Sequence, residues 1–288
     1  MSDRAFYAVL IAVIPWALYF GILWLQFRKR RLLSRYPLTA IPRPPGYSLQ
    51  QKLSQFNEDL SVYSAVLVAS GTVAGLLYWI GINIMTALVI SIAGSTVAII
   101  QLCRVLPKYA NYKLGLMGEQ AVGSILNTLA HDTIQVHHDY QVAEPGQKPW
   151  NIDHIVLTSE GVFLIETKTR RKLKEKNAEG KDGYRVEYDG TTLHFPFGSD
   201  HFGLRQAKRN AEWLSKSLSS AVGVHIPVSP ILTLPGWMVE RKGRGDVHVM
   251  NEKELLSYFK RPKPLITPKL QQQINHQLKQ HCMVDLTK

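Results

Sequence analysis

Cysteine is scarce in this 288-residue chain: only Cys103 and Cys282 are present, far apart and without metal-ligand spacing. That excludes a disulfide-stapled secreted scaffold and a Cys/His zinc module, and nothing calls for an oxidising compartment. No collagen-like, heptad or solenoid repeat is visible. Acids are the scarcer charge, with 22 Asp+Glu against 34 Lys+Arg and a formal net charge of +12. An acidic partner is implied, nucleic acid or anionic lipid, and charge alone does not choose between them.

Charge is missing altogether from residues 5–27 and again from Val62 to Leu102. Roughly 20 apolar residues cross a bilayer, so the first run fits one span and the second fits two. Gly81-Ile82-Asn83 suits a turn between them. Helices are expected at about 5–27, 62–80 and 84–103, with Gly71, Gly75, Gly94 and Ser95 allowing close backbone approach. A cleavable signal peptide fits the first run poorly, because Arg28-Lys29-Arg30-Arg31 follows it instead of a small-residue cleavage site. The basic loop 28–61 and the cations Arg104, Lys108 and Lys113 mark the cytoplasmic side. The expected topology is a multi-pass protein of the bacterial inner (cytoplasmic) membrane, with its N-terminus outside and its C-terminal domain in the cytoplasm. Within the loop, IPRPPGY (41–47) should be extended.

Residues 104–288 hold 26 of the 34 Lys+Arg and 19 of the 22 Asp+Glu, so the basic excess is not confined to membrane flanks. A helix is expected at about 118–130, strands at 133–140, 152–158 and 161–167, and a hairpin at 184–195 around Asp189-Gly190. A helix at 204–218 and a buried strand at 228–232 follow. A strand at 247–250 and helices at 251–260 and 268–281 finish the chain. The core order is helix, three strands, helix, strand.

Three ionisable residues interrupt apolar strands: Asp153, Glu166 and Lys168. Residues two apart on a strand share a face, so Glu166 and Lys168 project together. The short turn Ser159-Glu160-Gly161 brings Asp153 within reach of Glu166. Two carboxylates and a backbone carbonyl, that of Thr167, form an oxygen cradle for Mg²⁺, with Mn²⁺ as a substitute. A lysine beside it can position or deprotonate a water and offset charge on a phosphorane. Glu119 adds a further carboxylate, although it also fits a first-turn helix acid. Gly115 and Gly118 would shape that helix's entry, and Gln206 could orient water or phosphate. Arg170, Arg171, Lys172, Arg205, Lys208 and Arg209 form a basic footprint for a nucleic-acid backbone. His154 reads as a packed histidine, and His137-His138 as an outer-strand pair.

Asp153 followed by Glu166-Thr167-Lys168 resembles the PD-(D/E)xK nuclease signature. The fuller pattern, Gly115-Leu-Met-Gly118-Glu119, Ile152-Asp153-His154, Gly161-Val-Phe-Leu-Ile-Glu166-Thr-Lys168 and then Gln206, is similar to the nuclease-related domain (NERD) family over about 110–220. The resemblance implies a restriction-endonuclease-like αβββαβ core, a mixed α+β or α/β fold, with a divalent metal. Two departures stand out: the insert at 170–203 is long and basic, and no proline precedes Asp153.

The expected organisation is a membrane region 1–106, a nuclease-related domain 107–235, and a C-terminal strand and helical extension 236–288. The expected function is a membrane-anchored, Mg²⁺-dependent nuclease acting on DNA. Asp153, Glu166, Lys168, Glu119 and Gln206 are its site, and Asp153, Glu166 and the Thr167 carbonyl are its metal ligands. The alternative is a membrane-tethered nucleic-acid-binding module with the same fold and little turnover. Nucleic acid and the lipid bilayer are the expected partners, and a homo-oligomer is left open.

Overall fold

A computed structural model describes residues 17–26, 28, 40–174, 182–259 and 265–285. The chain divides into two compact units, Met1–Ile41 with Val284–Lys288, and Pro42–Met283. In the first unit the described part of the expected 5–27 span is a ten-residue apolar helix, α1 (Ala17–Gln26). The rest of that expected span lies outside the described residues. A short strand β1 (Ala40–Pro42) leads into the second unit.

Two long helices follow, α2 (Tyr47–Trp79) and α3 (Ile84–Asn127). Among the described residues these two are long and apolar enough to cross a membrane, where three spans were expected. Only 6% and 11% of their apolar windows are buried, unlike core helices of a soluble protein. They form a hairpin closed by Gly81, with Asn83 capping α3 through Met85 N–H. Ser70 and Ser95 hydroxyls meet at 2.9 Å across it, and a side chain at Gly94 would strike Ser70.

Both helices extend past their expected ends. The second half of the expected 28–61 loop is helical from Tyr47 onward. Leu49, Leu53, Phe56 and Leu60 recur there at helical spacing, and Gly46 at φ 75° sets the entry after Pro44-Pro45. The helices expected at 84–103 and 118–130 are one continuous α3, because the intervening residues are mostly good helix formers and Pro107 does not end it. Gly115, Gly118 and Glu119 therefore lie deep in a helix rather than at its entry.

The remaining strands are β2 (Ile134–Val142), β3 (Trp150–Thr158), β4 (Gly161–Thr167), β5 (Arg185–Tyr188), β6 (Leu193–Phe195) and β7 (Gly198–Asp200). Helix α4 (Phe202–Val222) precedes β8 (Val228–Thr233), β9 (Met238–Arg241) and β10 (His248–Met250). Helices α5 (Glu252–Tyr258) and α6 (Pro268–His281) and strand β11 (Met283–Asp285) complete the order. The main sheet runs β10-β8-β4-β3-β2, antiparallel among β2, β3 and β4 and parallel among β4, β8 and β10. Alternate residues feed two cores. Ile155, Leu157 and Leu164 pack with α4 and α6, while Val156, Phe163 and Ile165 pack with Val122 and Leu126 of α3 and Leu255 of α5. A second sheet, β7-β6-β5-β9, is built from the 170–203 insert plus β9.

Candidate functional site

The pleat assembles the site. His154 pairs with Ile165 across β3 and β4, and one residue further along are Asp153 and Glu166. Both fall on the α4-covered face by alternation with Ile155 and Leu164. Asp153 Oδ2 accepts the Thr167 N–H at 2.8 Å, and Glu166 Oε1 accepts from Lys168 Nζ at 2.7 Å. Glu119 arrives from α3. The helix comes this close because residue 118 has no side chain, since a Cβ there would lie 1.7 Å from Thr169 Oγ1.

Asp153, Glu166 and Glu119 are all buried, at 6%, 1% and 6% exposure. Burial, and then mutual repulsion, push the Asp153 carboxyl well above the usual range. Burial also raises Glu166 against the opposing pull of Lys168, and Glu119 is pushed up to about 8 by burial and the charges of Asp139 and Glu166. Glu119 Oε2 and Glu166 Oε2 have no hydrogen-bond partner. Burial would lower Lys168, but Glu166 and Asp153 outweigh it and the net shift is upward. Lys168 is thus an ammonium at neutral pH, suited to hold a water or a phosphate oxygen rather than to take a proton.

Such a crowd of carboxylates, two with orphaned oxygens, fits a hard divalent cation. Among the described residues no group of three or more His, Cys, Asp or Glu side chains is arranged to hold a metal.

α4 lines the same crevice. A side chain at Gly203 would meet Lys168, and Gln206 is half-buried one turn before Asn210. The charge of Arg209, itself exposed, favours the ionised form of Glu166. Of the expected cations, Arg170 is paired to Asp200 at 2.6 Å and Lys208 is paired to Asp246. Arg171, Lys172 and Arg205 are exposed.

Two residues escaped the sequence reading. Asn210 is fully buried, close enough to Glu166 to favour its ionised form, yet its own amide atoms make no hydrogen bond of good geometry. Its signal was polarity on the apolar face of an amphipathic helix. Asp139 faces Asp153 between the pairs His138–His154 and Tyr140–Ile152, at φ 51°. Its carboxylate accepts from Ser48 N–H and Oγ–H, Gln141 and Asn151, so it caps the first turn of α2. His137 and His138 lie on the edge strand β2 but are buried, bonded to Asn275 and Asn127, and His138 also meets His154 at 2.9 Å.

The frame is a mixed α/β domain with a buried cluster of carboxylates and a lysine where α3 and α4 meet two central strands. Residues 114–235, less than half of the chain, match the family model of the nuclease-related domain, NERD. No curated protein matches the chain. A solved structure, protein VC1899 from Vibrio cholerae, is 12% identical with a TM-score of 0.22, over 84% of this chain. The chain spans 59% of that protein, and at that TM-score the likeness informs neither fold nor function.

Proposed function

We propose that the chain is a membrane-anchored, Mg²⁺-dependent nuclease that hydrolyses phosphodiester bonds in DNA, built on a restriction-endonuclease-like core. The observation that carries this reading is the meeting of Glu119, Asp153, Glu166 and Lys168 in one crevice, inside the segment that matches the nuclease-related family. Asp153, Glu166 and the Thr167 carbonyl would hold the cation, which when bound supplies a Lewis acid and a nucleophilic water. Lys168, anchored on Glu166, donates to a phosphate oxygen and offsets charge that develops on it. Glu119 closes the crevice from α3. Gln206, half-buried on α4, would orient the water. Arg171, Lys172 and Arg205 extend the cationic path for the backbone.

Anchoring rests on the exposed apolar faces of α2 and α3. Membrane spans at 62–80 and 84–103 would put both helix ends that enter the domain on one side, the basic cytoplasmic one. The test is cleavage of labelled duplex, single-stranded DNA and RNA by the full chain, with Mg²⁺, Mn²⁺ or EDTA. Metal-dependent cutting that Asp153→Ala and Lys168→Ala both abolish is expected. Absent cutting, with salt-sensitive binding that survives both substitutions, would replace the enzyme by a tethered binding module.

A further inference from the structure

The insert that makes this domain long also places aromatic rings in the open beside the crevice. Phe202 opens α4 and is 57% exposed, with Lys168 Nζ 6.0 Å from its ring centroid. Phe197, between β6 and β7, is 50% exposed. It lies parallel to Phe195 at 5.2 Å and edge-on to Trp237 at 6.0 Å, and those two rings are buried. Exposing two phenylalanines in water is unfavourable, and here both are held out by rigid supports. Phe197 rests on the Phe195–Trp237 pair. Phe202 N–H donates to Asp200 Oδ1 at 2.7 Å, Asp200 Oδ2 pairs with Arg170, and the Trp237 indole donates to the Arg170 carbonyl. Those contacts link the supports of Phe197 and Phe202 through Arg170, two residues from Lys168. Lys172 adds charge to it, reaching over Gly236 beside Trp237.

We infer that this surface is a base-stacking platform, and that the substrate presents unpaired bases next to the phosphate being cut. The inference rests on the nuclease reading and deepens it by naming a substrate class, a single-stranded or locally melted nucleic acid. A duplex hides its base faces and offers phosphates alone, for which exposed phenylalanines are of no use. An unpaired strand offers both, and rings interleaved with cations match that pairing. Lys168 belongs to both parts: it meets the phosphate site through Glu166 and lies beside the Phe202 ring. A bilayer surface is the rival occupant. It is disfavoured because Asp200 is bonded to the Phe202 N–H and Glu166 to Lys168, and carboxylates so near the surface repel anionic headgroups.

The test uses the full chain in phosphatidylcholine nanodiscs with EDTA, so that nothing is cut. Binding is measured for a labelled single strand, the same strand with abasic sites, and the matching duplex. Wild type should bind the strand roughly 5- to 150-fold more tightly than its abasic form, the range expected for a stacked base. Phe202→Ala and Phe197→Ala should each shrink that ratio and leave duplex binding and its salt dependence unchanged. Phe202→Trp should keep the ratio and add tryptophan quenching by the strand beyond that of wild type. Equal affinity of wild type for intact and abasic strands would overturn the platform, as would alanine variants that keep the wild-type ratio. Quenching of the introduced tryptophan by brominated lipid in phosphatidylserine-containing discs, without quenching by the strand, would make the surface a lipid face and overturn it too. Failure of the nuclease reading looks different: the strand preference and its loss in Phe202→Ala remain, while cutting is absent or indifferent to Asp153→Ala.

Discussion

Within the single helix α3, residues 84–103 and residues 118–126 treat their surroundings in opposite ways. The first stretch turns apolar side chains outward, with Met85, Val89 and Ile92 more than 60% exposed. The second buries Gly118, Glu119, Val122, Gly123 and Leu126, a carboxylate among them. An unbroken backbone thus carries lipid-like chemistry at one end and a candidate catalytic acid at the other. Helix formation is local and indifferent to that change. What a side chain may be is set by what surrounds it: an exposed charge-free stretch suits a surrounding in which charge is costly, while the domain interior tolerates Glu119 beside a lysine.

The largest effect should come from the domain end. Lys168→Ala is expected to cut turnover by about 10²–10³-fold, as loss of one charged donor does elsewhere. Retained cleavage would remove the lysine from the chemistry. At the other end, Val89→Arg separates water from lipid. On a lipid-facing surface it costs about 2.5–3.5 kcal/mol of insertion and should deplete the chain from carbonate-washed membranes. Were that face in water, an exposed substitution would change stability by no more than about 0.5 kcal/mol.

A matched pair of glycines sharpens the contrast further. Gly118→Ala forces Thr169 aside and should cost about 1–3 kcal/mol in the domain's unfolding, read as a lower Tm. Gly71→Ala points into open space on α2 and should be neutral, or stabilising by up to about 1 kcal/mol. Equal effects at the two sites would contradict the packing described for both.

A pH dependence completes the contrast. Glu119 sits at about 8 in the folded chain against 4.5 ordinarily, so the folded state holds the extra proton between those values. Its contribution to the stability of the metal-free domain is therefore lost as pH rises from 4.5 through about 8, most visibly above 6.5, and Glu119→Gln should remove that loss. His137 and His138 work the other way. Burial lowers both to about 4, so the unfolded chain binds more protons below 6.5 and stability drops as pH falls from 6.5 toward 4. Melting curves of wild type and Glu119→Gln across pH 4–9 check both slopes.

Much of this was legible locally. Charge-free runs gave the hairpin, alternation gave β3 and β4 within two residues, and the turn at 159–161 put Asp153 near Glu166. The misses share a cause. Breaking α3 at residue 104 mistook the arrival of charge for the end of a helix, and the 47–61 helix was hidden by its own polarity. β9 pairs with β5 from about 50 residues away, and no local pattern announces such a partner. Asp139 and Asn210 looked ordinary because each matters only for what it faces across the fold.

The sequence by itself determined where charge is forbidden, which strands are buried, and which ionisable residues interrupt them, because periodicity and transfer free energy act residue by residue. Only the tertiary structure decided that α3 joins the apolar hairpin to the site, that Gly118 admits Glu119 to it, and that Phe197 and Phe202 stand open beside Lys168. Those facts depend on which distant surfaces meet, and contact between surfaces is settled by packing rather than by order along the chain.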